Sequence, residues 1–342
     1  MSANVSPELL VHIGLPKTGT TAIQQYMYAR RTAYAQQGIY WAETYPTDSE
    51  LNDCAHHIYS HKWGGWLTPS DFPITPEEAW QALRKSIEAK GGRHIISSER
   101  FADLLPLSDG EDVINFFREI AGTARVRVIG YVRRQDDLIE SHIRELIKGS
   151  VSAIDMNEYW RTLVASASFA YLDEGFSKAV KLLGKENVII RIYDRERLVG
   201  GDSVTDFLHA CDLPTINEGP KPDERANPSL NTLACKLLSD QRIVGQFDFA
   251  GAEVHFIRNF FSQANFDRFN EYKLLDSEKR RQVMESFQAG NEHLVEMFSP
   301  EIDADALRIH ENETKRGITD NQLILTYEEL VSLLVGMRSD FT

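Results

Sequence analysis

The sequence predicts an α/β protein with a doubly wound parallel sheet, helices on both faces of the sheet and a helical C-terminal extension. Two observations predict this class. Short apolar runs, typical of buried strands, alternate along the chain with longer amphipathic stretches typical of helices. A glycine-rich segment, Gly14 to Thr21, directly follows the first of these runs, as in a strand–loop–helix unit that binds an anion.

The elements follow from apolar runs and helix start and stop signals, such as the Gly38 that ends the first helix. Strands are expected over 8–14, 93–98, 125–132 and 187–192. Helices are expected over 20–37, from Pro76, over 110–121, 135–148, 168–183 and, at the end of the chain, 326–338. Residues 42–75 are expected to be irregular, with a functional role more in keeping with their aromatic and histidine content than disorder.

Composition sets the broad class. The chain has 342 residues, of which 42% are hydrophobic, enough to form a core without disulfides. One domain is expected over 1–342, with a core at about 8–215 and the helical extension at about 225–342. Its three cysteines are widely spaced and predict reduced thiols. A cytoplasmic protein is expected, because the N-terminal stretch lacks signal-peptide features and no apolar run reaches the length of a membrane span.

The formal net charge of −14 argues against nucleic acid and anionic membranes as partners. An anionic ligand must then be held by local cations and backbone N–H groups. The order of residues in the loop bears on which anion this is. Gly14 and Gly19 have the spacing of a nucleoside triphosphatase loop, but Thr20 stands where that loop has its lysine, and the lysine is Lys17.

Lys17-Thr18-Gly19-Thr20-Thr21 after a first strand resembles the phosphosulfate-binding loop of the sulfotransferase family, a P-loop-like fold. The resemblance implies that the donor is 3′-phosphoadenosine 5′-phosphosulfate (PAPS), with 3′,5′-ADP (PAP) as product and no required metal. It implies that Lys17 stabilises charge on the leaving group. It also implies that the loop from Pro16 through Thr21 cradles the 5′-phosphate.

A second segment points the same way. Arg133 ends the strand at 125–132, and Ser141 follows eight residues later in the next helix. The family's 3′-phosphate site has an arginine and a serine at this spacing, so the resemblance assigns these two residues to that phosphate. Arg134 is the adjacent cation, with Asp136 or Asp137 as its alternative partner.

Sulfonyl transfer needs a group to accept the proton of the acceptor hydroxyl. The resemblance makes Glu99, at the end of the strand 93–98, the first candidate base, with a salt bridge to Arg93, Arg100 or another cation as the alternative role. His57 is the second candidate, beside His56 and His61, which otherwise line an acceptor pocket or pack as ordinary loop histidines.

The resemblance also makes Arg225, in the C-terminal part, a candidate to close over the donor, with Lys221 as the alternative. It implies direct in-line transfer of a sulfonate group to a hydroxyl of an acceptor. The net charge favours a neutral or cationic acceptor, such as a sugar, a glycolipid headgroup or a small alcohol. A nucleoside or small-molecule kinase and a non-catalytic nucleotide-binding scaffold are the alternatives. A homodimer through the C-terminal helices is left open.

Overall fold

The chain divides into two compact units. The computed structural model describes residues 6–45, 54–64, 72–149, 158–217, 230–239, 272–308 and 327–328. The first unit comprises 1–133, 168–224 and 289–307, and the second comprises 134–167, 225–288 and 308–342. The expectation of one domain over 1–342 stays a prediction.

The first unit contains a five-stranded parallel sheet, which confirms the predicted fold class. Its strands are β1 (Glu8–Ile13), β2 (Ile39–Trp41), β3 (Arg93–Ser98), β4 (Arg125–Val132) and β5 (Val188–Ile192). They lie in the order β2-β3-β1-β4-β5. Ile13 pairs with Ser98 of β3 and with Gly130 of β4, so the loops that leave the three central strands start close together.

Helices pack on both faces of this sheet. In the first unit they are α1 (Thr20–Ala29), α2 (Arg31–Ala35), α3 (His57–Ser60), α4 (Pro76–Lys90), α5 (Arg100–Leu104), α6 (Gly110–Ala121), α9 (Leu172–Leu183), α10 (Ser203–Ala210) and α13 (Gln288–Phe298). On one face, Leu10 belongs to a core cluster with Ile23 of α1 and Phe207 of α10. On the other face Phe176 of α9 fills the space beside Gly130, whose Cβ would lie only 2.6 Å from that ring.

The second unit consists of helices over the residues that the structure describes. These are α7 (Gln135–Gly149), α8 (Tyr159–Ser166), α11 (Thr232–Ser239) and α12 (Ser277–Ser286). The buried guanidinium of Arg280 on α12 binds three carboxylates of α7, those of Asp136, Asp137 and Glu140, at 2.5, 3.0 and 2.9 Å. Arg144 binds Glu140 as well, at 2.8 Å. An ionic cluster thus holds α12 on α7.

Several elements differ from the sequence-based expectation, among them α3, which lies within the segment 42–75 that was expected to be irregular, and α5, which was not predicted. The helix expected over 20–37 is interrupted at Arg30, whose N–H bonds to the carbonyl of Met27 and closes α1 with a tight turn. The helix expected over 168–183 begins as a single 3₁₀ turn, Ser168–Ala170, before α9. The edge strand β2 was not predicted, because three residues are too few to show a periodicity.

Other expectations fall on residues that the structure leaves undescribed. The terminal helix over 326–338 is described only at Tyr327 and Glu328, which are helical, and the stretch from Pro220 to Pro228 lies outside the described residues. Within the described part of the chain, no helix combines the length and the apolar character needed to cross a bilayer.

Candidate functional site at the carboxyl ends of the central strands

The strand order places a switch point between β1 and β4. From β1 the chain turns towards β3 and β2, whereas from β4 it turns towards β5. The loops that leave two such strands diverge and open a crevice at their carboxyl ends, which is where ligands bind in open α/β sheets. Gly14 to Gly19 follow β1 and Arg133 follows β4, so both predicted segments lie at this point.

The loop after β1 has a backbone shape suited to an anion. Lys17 and Gly19 both adopt positive φ angles, of 63° and 77°. Gly19 is the N-cap of α1 and has no side chain with which to accept hydrogen bonds from the first-turn N–H groups. A positive-φ turn running into a helix start directs successive N–H groups into one concavity, where the helix dipole also favours negative charge.

The glycines of this loop are needed for close packing. A Cβ on Gly14 would lie 2.4 Å from Cγ2 of Thr20. A Cβ on Gly19 would lie 2.3 Å from Oγ of Ser203, at the start of α10. Both distances are below any real Cβ contact, so the first turn of α1 and the start of α10 fix the course of the loop.

The hydroxyls of Thr18 and Thr20 form hydrogen bonds within the loop, whereas the resemblance implied that these residues contact a phosphate. Thr18 Oγ1 donates to the carbonyl of Leu15 at 2.8 Å, and Thr20 Oγ1 donates to the same oxygen at 3.2 Å. Both residues are buried, whereas Thr21 is exposed. The hydroxyls of Thr18 and Thr20 therefore hold the loop together, and the group that each can offer an anion is its backbone N–H.

Arg133 is joined to the loop. Its Nη1 donates to the backbone carbonyl of Lys17 at 3.0 Å. Its guanidinium carbon lies 5.8 Å from the ring centre of Tyr193, within the range of a cation–π contact. The structure thus brings two of the sequence-predicted site residues, Lys17 and Arg133, to one place.

Glu99 also lies at the loop. It follows β3, and its Cγ is 3.1 Å from the position that a Cβ on Gly14 would take. The two arginines that were alternative partners bind other carboxylates: Arg93 pairs with Glu8 at 2.5 Å, and Arg100 pairs with Asp103 at 2.7 Å. The 3.1 Å distance places the side chain of Glu99 against Gly14, the first residue of the anion loop.

His57 contacts Ser98, the residue that precedes Glu99. Its Nδ1 is 3.0 Å from Oγ of Ser98. Burial, with smaller contributions from His61 and Arg100, lowers the pKa of His57 to about 4. Its imidazole is therefore neutral at pH 7 and can accept a proton only weakly.

The other two histidines of the predicted loop serve packing. His56 Nδ1 accepts the N–H of Ser97 at 2.9 Å, and its Nε2 lies 2.9 Å from the carbonyl of Ala42, which requires Nε2 to carry the proton. Burial lowers the pKa of His56 to about 4. His61 is buried against the ring of Phe72, with ring centres 5.0 Å apart. These two residues anchor the segment before and after α3.

The described structure does not test two of the predicted site residues, Ser141 and Arg225. Ser141 lies on α7, in the second unit, so its pairing with Arg133 stays a prediction. Arg225 and its alternative, Lys221, lie outside the described residues. Arg134 pairs with Asp136 at 2.7 Å, one of the two partners expected for it.

Two residues at the loop were not among the site residues predicted from sequence. Tyr193 follows β5, and its Cε2 is 3.3 Å from the Cβ position of Gly19. Ser203 donates from Oγ to the carbonyl of Gly19 at 3.4 Å. The position of Tyr193 at a strand end was the available signal, whereas no local pattern marks Ser203.

Comparisons with known proteins give distant likenesses. The sequence matches no model of a known protein family. It is 26% identical over 206 residues to an uncharacterised protein of Archaeoglobus fulgidus, covering 58% of this chain and 52% of that relative. The chain thus spans about half the length of the curated relative it matches.

Among solved structures, this chain is similar to a sulfotransferase from Alicyclobacillus acidocaldarius, with a TM-score of 0.39 and 12% identity over 66% of this chain and 87% of that one. It is similar to the sulfotransferase domain from the curacin biosynthetic pathway, with a TM-score of 0.36 and 10% identity over 75% and 98% of the two chains. A chain of the PezAT toxin–antitoxin system of Streptococcus pneumoniae gives a TM-score of 0.31 and 10% identity over 87% and 90%. Likenesses at these TM-scores carry no argument about activity.

Proposed function

We propose that this protein is a sulfotransferase that moves a sulfonate group from PAPS to a hydroxyl of an acceptor by direct in-line displacement. The observation that carries the proposal is the junction of Lys17 and Arg133. A lysine in the middle of an anion-binding loop and an arginine from the neighbouring strand end are joined by a hydrogen bond of 3.0 Å.

The residues present fit a bisphosphorylated nucleotide donor. The loop offers N–H groups at a helix start, which suit one phosphate. Arg133 offers a guanidinium, whose planar fork suits a second phosphate. Lys17, the residues from Pro16 to Thr21 and Arg133 are therefore the groups proposed to hold the donor, with Ser141 and Arg225 as further proposed contacts.

The donor supplies an activated sulfonate, and this chain's residues orient it and manage charge and protons. Lys17 provides positive charge where negative charge develops on the leaving oxygen, a role whose benefit is largest where water is excluded. Glu99, placed against Gly14, is the proposed acceptor of the hydroxyl proton. His57 is the weaker candidate for that role, because burial keeps its pKa near 4.

Loop sequence and contacts weigh against the kinase alternative. The position where a nucleoside triphosphatase loop carries its lysine is occupied by Thr20, which is buried and donates its hydroxyl to Leu15. We propose a neutral or cationic acceptor, because the net charge of −14 repels a heavily anionic one.

A transfer assay tests the proposal. Radiolabelled PAPS is incubated with a mixture of sugars, glycolipids and small alcohols, using the wild type, Lys17→Ala and Glu99→Gln. We expect transfer by the wild type and at least about a 100-fold loss of kcat in each variant. Lys85→Ala, an exposed lysine of α4, is the matched control and is expected to retain full transfer.

Donor binding is measured separately from turnover. Titration with 3′,5′-ADP in the presence of EDTA is expected to raise the thermal midpoint of the wild type and of Glu99→Gln equally. Stabilisation by ATP and magnesium but not by 3′,5′-ADP would favour the kinase. Stabilisation by nucleotide without any transfer would favour the nucleotide-binding scaffold, and absence of both would contradict the proposed donor site. A preference for polysulfated acceptors would contradict the acceptor class.

A further inference from the structure

A second cavity lies along the edge strand β2, in the first unit. Its volume is about 620 Å³, within the range of small-molecule sites. It is lined by residues of α2, β2 and α4 and by His94, the second residue of β3. The candidate catalytic residue Glu99 follows the last position of the same strand, Ser98, and four residues of strand span about 13 Å. This cavity is thus distinct from the anion loop.

Aromatic side chains form much of the cavity wall. Tyr40 and Trp41 come from β2, Tyr45 follows that strand, and Tyr59 comes from α3. The hydroxyl of Tyr59 donates to the carbonyl of Glu43 at 3.2 Å, and the indole N–H of Trp41 donates to the carbonyl of Cys54 at 3.2 Å. Tyr59 and Trp41 are buried and their polar ends are bonded to the backbone, so they back the wall, and the half-buried rings of Tyr40 and Tyr45 are the ones that an occupant can touch.

Two cations and one carboxylate line the same cavity. The cations are Arg31 on α2 and Lys90 on α4, and the carboxylate is Glu43. Lys90 Nζ lies 5.1 Å from the ring centre of Tyr40, so positive charge stands beside the aromatic wall. On a chain with a net charge of −14, a cavity with an excess of cations is suited to an anionic group.

His94 adds a buried polar atom at this cavity. The residue is 1% exposed, and its Nε2 lies 3.0 Å from Oγ of Ser86. Its Nδ1 has no hydrogen-bond partner among the residues that the structure describes. Burial, helped by the charge of Lys90, lowers the pKa of His94 to about 4, so the ring is neutral at pH 7.

We propose that this cavity is a binding site for a small aromatic acid, a ring that carries a carboxylate. The ring packs on the tyrosines, and the carboxylate pairs with Lys90 and Arg31. The site is separate from the proposed transfer site, and its occupancy does not depend on Lys17.

Calorimetric titration with 4-hydroxybenzoate tests this proposal on the full chain. We expect saturable binding with a Kd below about 1 mM, and weaker binding of neutral phenol. Lys90→Ala is expected to weaken the binding about two- to fivefold, since an ion pair with an exposed lysine is lost, whereas Lys85→Ala on the same helix leaves it unchanged. Lys17→Ala also leaves it unchanged, which separates this site from the proposed function.

A steric variant provides an independent test. Ala82 is an exposed residue of α4 that lines the cavity, and Ala82→Trp is expected to fill the cavity and abolish binding. Gln81→Trp, one residue earlier and outside the lining, is the matched control and is expected to bind as the wild type does. Failure of 4-hydroxybenzoate to saturate, equal binding of phenol, or normal binding by Ala82→Trp would each overturn the proposal.

Discussion

Arg133 donates a hydrogen bond from Nη1 to the backbone carbonyl of Lys17, at 3.0 Å. This bond links the end of β4 to the loop after β1 across the switch point of the sheet. It gives Arg133 two tasks, because the same guanidinium that supports the loop is proposed to bind a phosphate of the donor. The geometry also explains how a lysine is held at a positive φ, since its carbonyl is fixed by a cation.

Arg133→Lys tests whether positive charge at position 133 is enough for these two tasks, or whether the guanidinium itself is needed. Lysine keeps the positive charge but has no planar fork, so it cannot hold the Lys17 carbonyl and a phosphate in the same way. We expect the Kd for 3′,5′-ADP to rise by about 10- to 100-fold, the loss typical of a charged hydrogen bond. Calorimetric titration measures it. Arg118→Lys, an exposed arginine of α6, is the control, and an unchanged Kd in Arg133→Lys would contradict the role given to Arg133.

Lys17 combines a charge that is proposed to act in transfer with a strained backbone. Its φ of 63° is unfavourable for a residue with a Cβ, and glycine adopts it freely. We expect Lys17→Gly to unfold at higher denaturant than Lys17→Ala, with a difference of about 1 kcal/mol, although both lose transfer activity. Equal stability of the two variants would show that the backbone at position 17 is not strained.

Gly19 is expected to be intolerant of a side chain for two separable reasons. Its φ is 77°, and a Cβ would lie 2.3 Å from Oγ of Ser203. Gly38 has a similar φ of 74° but nothing within 4 Å of its Cβ position, so Gly38→Ala measures the cost of the backbone angle alone. We expect Gly19→Ala to lower the free energy of unfolding by about 1–3 kcal/mol more than Gly38→Ala does, as in overpacking. Equal losses in chemical denaturation would contradict the close packing of α10 on the loop.

The four longer strands of the sheet, β1, β3, β4 and β5, could be predicted from sequence because each contains a run of mainly apolar residues. The edge strand β2 has only three residues, and its neighbour β3 supplies the pairing that defines it. The break at Arg30 could not be predicted either. It depends on the tertiary contact of the Arg30 side chain, whose Nε donates to the carbonyl of Ile216 at 2.9 Å.

That the loop and Arg133 lie at neighbouring strand ends could be predicted from sequence, but the hydrogen bonds around them could not. The loop and Arg133 were placed correctly because strand ends of a parallel sheet converge. The direction of a hydroxyl such as that of Thr20 depends on the nearest acceptor, which is a carbonyl of its own loop. Ser203 reaches Gly19 from a helix that is 184 residues away in the chain, a proximity that one sequence does not encode locally.

Arg280 is expected to be the most sensitive position of the second unit. Its guanidinium, 2% exposed, neutralises Asp136, Asp137 and Glu140 together. Arg280→Met leaves these carboxylates without their central cation, and we expect a loss of about 3–5 kcal/mol in the free energy of unfolding. Arg281→Met, the exposed neighbour, is the control in a chemical denaturation experiment. A loss below 1 kcal/mol for Arg280→Met, about the value of an exposed ion pair, would contradict this view of the cluster.

The stability of the first unit is expected to fall as pH decreases from 6.5 to 5. Burial lowers the pKa of His12 to about 3 and that of His56 to about 4, whereas an unfolded histidine titrates near 6.5. Between pH 6.5 and pH 5 the unfolded chain therefore binds protons that the folded chain does not. As the pH falls through this window, each histidine lowers the free energy of unfolding by up to about 1.4 kcal/mol per pH unit. Ordinary carboxylates titrate mainly below this window.

His12→Asn is expected to reduce the slope of the unfolding free energy against pH, and the exposed His209→Asn is expected to leave it unchanged. An identical slope in wild type and His12→Asn would mean that His12 takes up its proton in the folded protein, against the effect of its complete burial.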